Sequence, residues 1–118
     1  MKKLVYYYRD VPLGVLEKTE KRYVYTSNIA NEQKLRDNIA VRANYELWGS
    51  FKRESSELFP EMARLLEKFS RQDIQERAGI KPEDSVWEKL VKISQLNVYP
   101  AGFYVQPIGE AENRTDEA

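Results

Sequence analysis

The sequence predicts an α+β fold, a small antiparallel sheet of about four or five short strands covered by about three short helices. Three observations lead to this prediction. The first 26 residues alternate between β-favouring runs and turns, the hydrophobic period becomes helical after residue 54, and a β-favouring run returns near residue 103. With 118 residues, the chain is long enough for one domain with one modest core.

The first part of the chain predicts a three-stranded meander. Residues 4–8, 14–17 and 22–26 are rich in Leu, Val and Tyr, which suit a pleated, half-buried surface. Polar turns with Asp, Pro, Thr and Lys separate them. Three strands alone are marginally stable, so we expect a layer of helices to cover one face.

The middle of the chain predicts a short helix and a fourth strand. Asn31 is a suitable N-cap for a helix over residues 32–36. Residues 41–47 continue a strict alternation of apolar and polar residues, which is typical of a half-buried strand. We therefore expect the fourth strand there.

Beyond residue 54 the apolar spacing predicts three helices and a last strand. Met62, Leu65, Leu66 and Phe69 form one apolar stripe, which predicts a helix with Pro60 in its first turn. A second helix over residues 71–78 is expected to stop at Gly79. Ser85 opens a capping box before a third helix over residues 86–96, and residues 103–105 read as the closing strand.

The charge of the chain is balanced as a whole but divided along its length. Lys+Arg and Asp+Glu number 19 each, yet residues 1–53 carry 11 basic and 6 acidic groups and residues 54–118 carry 8 and 13. We interpret residues 1–107 as a single domain and residues 108–118 as an acidic tail that we expect to be disordered. Such asymmetry can steer a charged partner.

The composition excludes several kinds of chemistry. The chain has no Cys and no His, so it offers no thiol nucleophile, imidazole base or Cys/His metal site. No glycine-rich phosphate-binding motif is present, and the carboxylates of the helices, such as Glu61, are expected on the solvated surface. We therefore predict a protein that is not an enzyme and holds no cofactor or metal. Without a recognisable signal peptide or membrane span, we expect it in the cytoplasm.

The aromatic residues suggest a partner-binding surface. Eight Tyr, four Phe and two Trp are many for so small a domain, and exposed Trp and Tyr are common interface anchors. Trp48 lies outside every predicted helical stripe, so it is the first candidate anchor. Its neighbours Tyr45, Phe51, Lys52 and Arg53 complete the predicted partner-binding set. Trp87, beside the Ser85 capping box, is expected in the core.

A different kind of partner remains open at this stage. The basic residues of the sheet half, interleaved with Tyr, are compatible with binding to single-stranded nucleic acid. The two helices around Gly79 are a poor match to a DNA-binding helix-turn-helix because their connection is long and acidic. Direct nucleic-acid binding is therefore the less favoured alternative.

The order of these segments resembles the N-terminal subdomain of HipA-type toxin kinases. The resemblance spans roughly residues 3–107, and the order and spacing of the segments carry it. The matching segments are residues 4–8, Leu13-Gly14-Val15-Leu16-Glu17, Tyr23-Val24-Tyr25, Leu58-Phe59-Pro60-Glu61, Arg77-Ala78-Gly79-Ile80, Glu83-Asp84 and Ala101-Gly102-Phe103. The sequence departs from the family at Glu46-Leu47-Trp48-Gly49 and at Phe103, and it lacks the catalytic and ATP-binding motifs of the kinase.

This resemblance implies a function. In split versions of the system, a short HipS-like protein binds a truncated HipT-like kinase and acts as its antitoxin, beside a HipB-like DNA-binding protein. The chain would then be a non-enzymatic regulator of a Ser/Thr kinase toxin. A stand-alone module that binds another protein or a nucleic acid is the alternative.

Overall fold

The computed structural model describes residues 3–68, 70–96 and 102–107, and within them it confirms the predicted α+β architecture. The strands are β1 (Lys3–Tyr8), β2 (Val11–Lys18), β3 (Tyr23–Ser27), β4 (Arg53–Ser55) and β5 (Phe103–Pro107). The helices are α1 (Ile29–Lys34), α2 (Ile39–Asn44), α3 (Pro60–Lys68), α4 (Gln72–Ala78) and α5 (Val86–Ser94). The predicted acidic tail, residues 108–118, lies outside the described residues.

The five strands form one antiparallel sheet in the order β4-β3-β2-β1-β5. The meander predicted for the first three strands is present, and the closing strand β5 pairs with β1, which places Tyr8 opposite Phe103. The first and last described strands are therefore neighbours. The short strand β4 pairs with β3 and forms the opposite edge of the sheet.

The hydrophobic core lies between the sheet and the helices. It draws on four strands and on the apolar faces of α2, α3 and α5, which bury Val41, Met62 and Leu90 completely. Trp87 is buried, as predicted, and its ring contacts that of Tyr23. Residues that recur at helical spacing thus form one core layer over the pleated face.

The strand predicted over residues 41–47 is wrong, because α2 occupies most of that segment. The Asn38 side chain caps the helix by accepting a hydrogen bond from the Val41 N–H at 3.1 Å. The pattern had a second solution: Val41 and Tyr45, four residues apart, are buried, whereas Ile39 is 84% exposed. The fourth strand is instead β4, whose polar residues gave no β signal.

The helix predicted over residues 32–36 begins three residues earlier than expected. Asn28, not Asn31, is the N-cap, and its side-chain oxygen accepts from the Asn31 N–H at 3.1 Å. The Asn31 side chain instead donates to the Pro12 carbonyl at 3.0 Å. Three asparagines compete for this role, so their types alone did not locate the start of the helix.

The three helices predicted in the second half are confirmed with small changes in length. Ser85 caps α5 by accepting from the Glu88 N–H at 3.1 Å, and Gly79 ends α4 with φ +74°. A positive φ at this position suits glycine, which has no Cβ to clash with the preceding turn. Phe69, predicted in the stripe of α3, lies outside the described residues.

Candidate protein-docking site

Trp48 lies in a connection between α2 and β4 that is fixed by hydrogen bonds to β3. We call residues 45–50 the Trp48 loop. The Ser27 hydroxyl donates to the Leu47 carbonyl at 2.9 Å and accepts from the Ser50 N–H at 3.0 Å. The Ser27 N–H donates to the Ser50 carbonyl at 2.6 Å. These bonds attach both sides of Trp48 to the last residue of β3.

A buried carboxylate from α1 holds the same loop. Glu32 is only 2% exposed; its Oε1 accepts from the Gly49 N–H at 3.0 Å and its Oε2 accepts from the Tyr45 hydroxyl. The Tyr45 and Tyr25 hydroxyl oxygens lie 2.9 Å apart. Because Tyr45 gives its only hydroxyl proton to Glu32, Tyr25 is the donor in that second bond.

The two phenols in this network are held in their neutral form. Burial raises the pKa of Tyr25 and the pKa of Tyr45 far above their ordinary value. The hydrogen bond with Tyr45 raises the pKa of Tyr25 further, and the hydrogen bond to Glu32 does the same for Tyr45. Both hydroxyls therefore remain proton donors. The chain of hydrogen bonds from Tyr25 through Tyr45 to Glu32 connects β3, the Trp48 loop and α1.

A second buried carboxylate fixes the start of the loop. Glu61, near the beginning of α3, is 4% exposed, and its Oε2 accepts from the Glu46 N–H at 3.0 Å. Burial raises the pKa of the Glu61 carboxyl, partly opposed by this hydrogen bond. The expectation that Glu61 lies on the solvated surface is wrong, since its carboxylate is needed to satisfy a loop amide.

Trp48 itself is half-buried and presents an open ring surface. Its ring packs against the Tyr45 ring in a T-shaped arrangement, with centroids 5.1 Å apart, the geometry favoured by aromatic quadrupoles. It lines one groove with Arg36, Asp37 and Arg42, and a neighbouring groove with residues of α1. Trp48 thus forms the ridge between two surface grooves.

The structure divides the predicted partner-binding residues into two groups. Phe51 is 80% exposed, and Lys52 and Arg53 are exposed beside it at the β4 edge of the sheet. Tyr45 is 2% exposed, so its prediction as a contact residue is wrong. The Tyr45 ring packs against the buried side of the Trp48 ring. Because Tyr45 has almost no exposed surface, it cannot itself contact a partner.

Sequence reasoning missed the residues that give the loop its shape. Glu32 and Glu61 looked like ordinary helical carboxylates, and Ser27 was an inconspicuous residue at the end of a strand. No spacing rule marks them, because each bonds to backbone atoms more than ten positions away. The only available signal was the lack of regular structure around Trp48, whose backbone groups need partners from elsewhere.

The described part of the chain contains no group of three or more acidic side chains arranged to hold a metal ion. None of its helices is both long and apolar enough to cross a bilayer.

The arrangement is therefore a fixed loop that presents an aromatic side chain between two grooves, one of which is lined by Arg36 and Arg42. The chain matches no protein-family model, no curated protein and no solved structure.

Proposed function

We propose that this protein is a non-enzymatic binding module that docks on a HipA-type Ser/Thr kinase through Trp48 and acts as its antitoxin. The observation that carries the binding role is the Trp48 loop, in which α1, α3 and β3 together hold one half-exposed tryptophan. The kinase as partner is supported by the sequence resemblance alone. A cytoplasmic location, and a HipB-like protein in the same complex, follow from the same proposal.

The rigidity of the Trp48 loop favours binding. A loop that is already ordered loses little conformational entropy when a partner binds, so more of the contact energy appears as affinity. Trp is also among the residue types most enriched at interface hot spots. Ile39 and Phe51, 84% and 80% exposed, precede and follow the loop along the chain and supply further apolar surface.

The charge around Trp48 indicates the chemistry of the partner surface. From α1 to β4 there are five exposed basic residues and three exposed acidic residues, Asp37, Glu46 and Glu54. The basic residues are Lys34, Arg36, Arg42, Lys52 and Arg53. Opposite charges at the rim of an interface speed association and orient the partners. We therefore expect an acidic surface with an apolar pocket on the kinase.

The proposed mechanism is steric and requires no chemistry from this chain. Docking of Trp48, together with the adjacent β4 edge, holds the kinase in an inactive arrangement. When the module dissociates, the kinase is free to adopt its active arrangement. The kinase supplies all catalytic groups.

The test is to express this chain together with a kinase that is encoded beside it and lacks its own N-terminal subdomain, and to ask whether the two proteins co-purify. We expect the pair to co-purify and the chain to rescue the growth arrest caused by the kinase. Trp48→Ala should weaken binding by at least ~2 kcal/mol, about 30-fold, which is typical of a hot spot. Titration calorimetry of the purified pair measures the change.

A matched control separates docking from loss of fold. Val86, on α5, is 44% exposed, and Val86→Ala should leave affinity unchanged. Trp48→Ala must retain the wild-type unfolding transition for the comparison to be valid. If the folded Trp48→Ala protein binds the kinase as tightly as wild type, the docking assignment fails; if no such kinase binds the wild-type chain, the antitoxin role fails.

One observation favours a second candidate, a stand-alone module that binds single-stranded nucleic acid. The half-buried Trp48 is followed along the chain by the exposed side chains of Phe51, Lys52 and Arg53. Aromatic and basic side chains of this kind stack on bases and neutralise phosphates. Binding of this kind weakens steeply as salt rises. A mobility shift that is lost between 50 and 200 mM salt, without any kinase partner, would favour this candidate.

A further inference from the structure

A second concave site lies away from the open face of Trp48. The side chains of α3 and the last residue of α2 face β1 and β5 across a cavity of about 40 Å³. Tyr6, Asn44, Glu61, Arg64, Lys68 and the apolar pair Leu65 and Phe103 line it. The space is large enough for a small polar group together with ordered water.

The cavity has more hydrogen-bond donors than acceptors. Among the described residues, neither Arg64 nor Lys68 forms an ion pair. The single hydrogen bond of the Arg64 side chain is a long one of 3.5 Å to the Asn44 carbonyl. Glu61 is the one acidic residue of the lining, and its Oε2 already accepts from the Glu46 N–H.

Tyr6 adds a third donor to the cavity that it lines. Its side chain is 3% exposed and stacks between the rings of Tyr45 and Phe103, with centroids 6.2 and 5.9 Å away. No fully buried polar side-chain atom of the described residues lacks a hydrogen-bond partner, and the Tyr6 hydroxyl forms no hydrogen bond within that part of the chain. The hydroxyl is therefore reached by solvent through the cavity, where it is open to a bound group.

We propose that this cavity binds a carboxylate group through the Tyr6 hydroxyl, the Arg64 guanidinium and the Lys68 ammonium. A carboxylate has two oxygens and about four acceptor positions, which match three unfilled donors. The aliphatic and aromatic walls of Leu65 and Phe103 suit the carbon atoms attached to it. The carboxylate can belong to a free small acid or to an acidic side chain of a peptide.

The charge of the lining is compatible with this ligand. Two cationic side chains face one carboxyl, so the site is cationic even when Glu61 is ionised. Burial raises the pKa of the Glu61 carboxyl, which reduces its repulsion of an anion. The nearby Glu46 carboxylate also raises the pKa of the Glu61 carboxyl, whereas the positive charge of Arg64 lowers it.

The test is a titration of the full chain with sodium acetate at constant ionic strength, followed by the amide signals in two-dimensional NMR spectra. We expect saturable shifts at Arg64 and at Glu46, whose N–H is bonded to Glu61, and smaller shifts at Gly49, which is held by Glu32 instead. A second arm uses an acetylated peptide with one Asp. Tighter binding of the peptide than of acetate assigns the site to acidic side chains, and the reverse assigns it to free acids.

Variants decide whether the named donors hold the ligand. Tyr6→Phe keeps the ring stacking and removes only the hydroxyl, and Lys68→Gln removes an exposed charge. Each should raise the acetate dissociation constant about tenfold, the effect of one hydrogen bond to a charged group. Arg77→Gln, an equal charge change on the exposed surface of α4, should not alter it.

Three results would overturn the proposal. Shifts that rise linearly without saturation indicate non-specific ion effects. If wild type and Lys68→Gln bind acetate with equal affinity, Lys68 is not a donor to the ligand. This comparison can be made even if Tyr6→Phe does not fold. Tighter binding of inorganic phosphate than of either carboxylate assigns the cavity to a different anion.

Discussion

At the scale of single residues, Gly14 shows how a close approach of two strands is built into the sequence. A Cβ at this position would lie 2.4 Å from the Tyr25 ring carbon Cζ and 2.6 Å from the Thr26 carbonyl oxygen. The Tyr25 ring can therefore pack against position 14 only because that position has no side chain. In this position the Tyr25 hydroxyl forms its hydrogen bond with Tyr45. The absence of a side chain at Gly14 is therefore needed for the hydrogen bonds that hold the Trp48 loop.

We predict that Gly14→Ala destabilises the fold by about 1–3 kcal/mol, the usual effect of overpacking a filled core. Urea unfolding monitored by circular dichroism measures the change. Gly79→Ala is the matched control, since a Cβ there meets no atom within 4 Å and only the positive φ opposes it. A Gly14→Ala protein as stable as wild type would show that β2 and Tyr25 separate easily.

Glu32 and Tyr45 form a buried pair whose contribution can be isolated from that of their neighbours. Removal of the Glu32 side chain leaves the Tyr45 hydroxyl and the Gly49 N–H without an acceptor, and each such loss costs about 1–3 kcal/mol. We predict a coupling free energy of at least ~1 kcal/mol between Glu32→Ala and Tyr45→Phe in a double-mutant cycle. Additive effects of the two substitutions would argue against a shared hydrogen bond.

At the scale of elements, the connection from α4 to α5 is fixed by one lysine. Lys92 Nζ donates to the Gly79 carbonyl at 2.8 Å and forms an ion pair with Asp84, whose side chain is 6% exposed. The Asp84 carboxylate also accepts from the Lys81 N–H at 2.9 Å. These contacts hold the turn between the two helices even though neither helix is long.

The same contacts predict a pH dependence. The hydrogen bond from Lys92 lowers the pKa of the Asp84 carboxyl below its ordinary value. Stability from this group is therefore present above the unfolded-state pKa of about 3.9 and is lost as pH falls through the folded-state pKa. We predict that Asp84→Asn is less stable than wild type at pH 7 and equal to it in strong acid.

Thermal unfolding of the two proteins between pH 2 and 7 measures this difference. Glu83→Gln, at the exposed neighbouring carboxylate, controls for the change in net charge. A gap in stability between wild type and Asp84→Asn that persists unchanged at the lowest pH would contradict the assignment.

At the scale of the whole molecule, the sheet is completed by the end of the chain. β5 pairs with β1 and buries Phe103 and Val105, which are 6% and 2% exposed. Without β5, the interior strand β1 becomes an edge and two core side chains are lost.

We predict different outcomes for two truncations. A chain of residues 1–107 should unfold at the same urea concentration as the full chain, because the acidic tail has almost nothing to bury. A chain of residues 1–101 should lose cooperative unfolding, since removing two buried side chains costs several kcal/mol from a small reserve of stability. Equal stability of all three chains would show that β5 is dispensable.

The sequence by itself determined the fold class and most elements. The alternation in the first strands and the helical spacing of Met62 and Leu65 were strong signals of secondary structure. The capping signals at Ser85 and Gly79 could also be recognised in the sequence, since a cap needs only neighbouring backbone atoms. It also singled out Trp48, because a tryptophan outside every apolar stripe is unusual.

Tertiary structure alone decided how residues 39–50 fold and what Trp48 presents. The apolar residues there are compatible with a strand and with a helix. Which of the two forms depended on which side chains could be buried against the rest of the core. Glu32, Glu61 and Ser27 became important only when folding brought them to the unpaired amides of the Trp48 loop. Long-range hydrogen bonds have no fixed spacing along a chain, and burial changes the chemistry of a carboxylate that looks ordinary in the sequence.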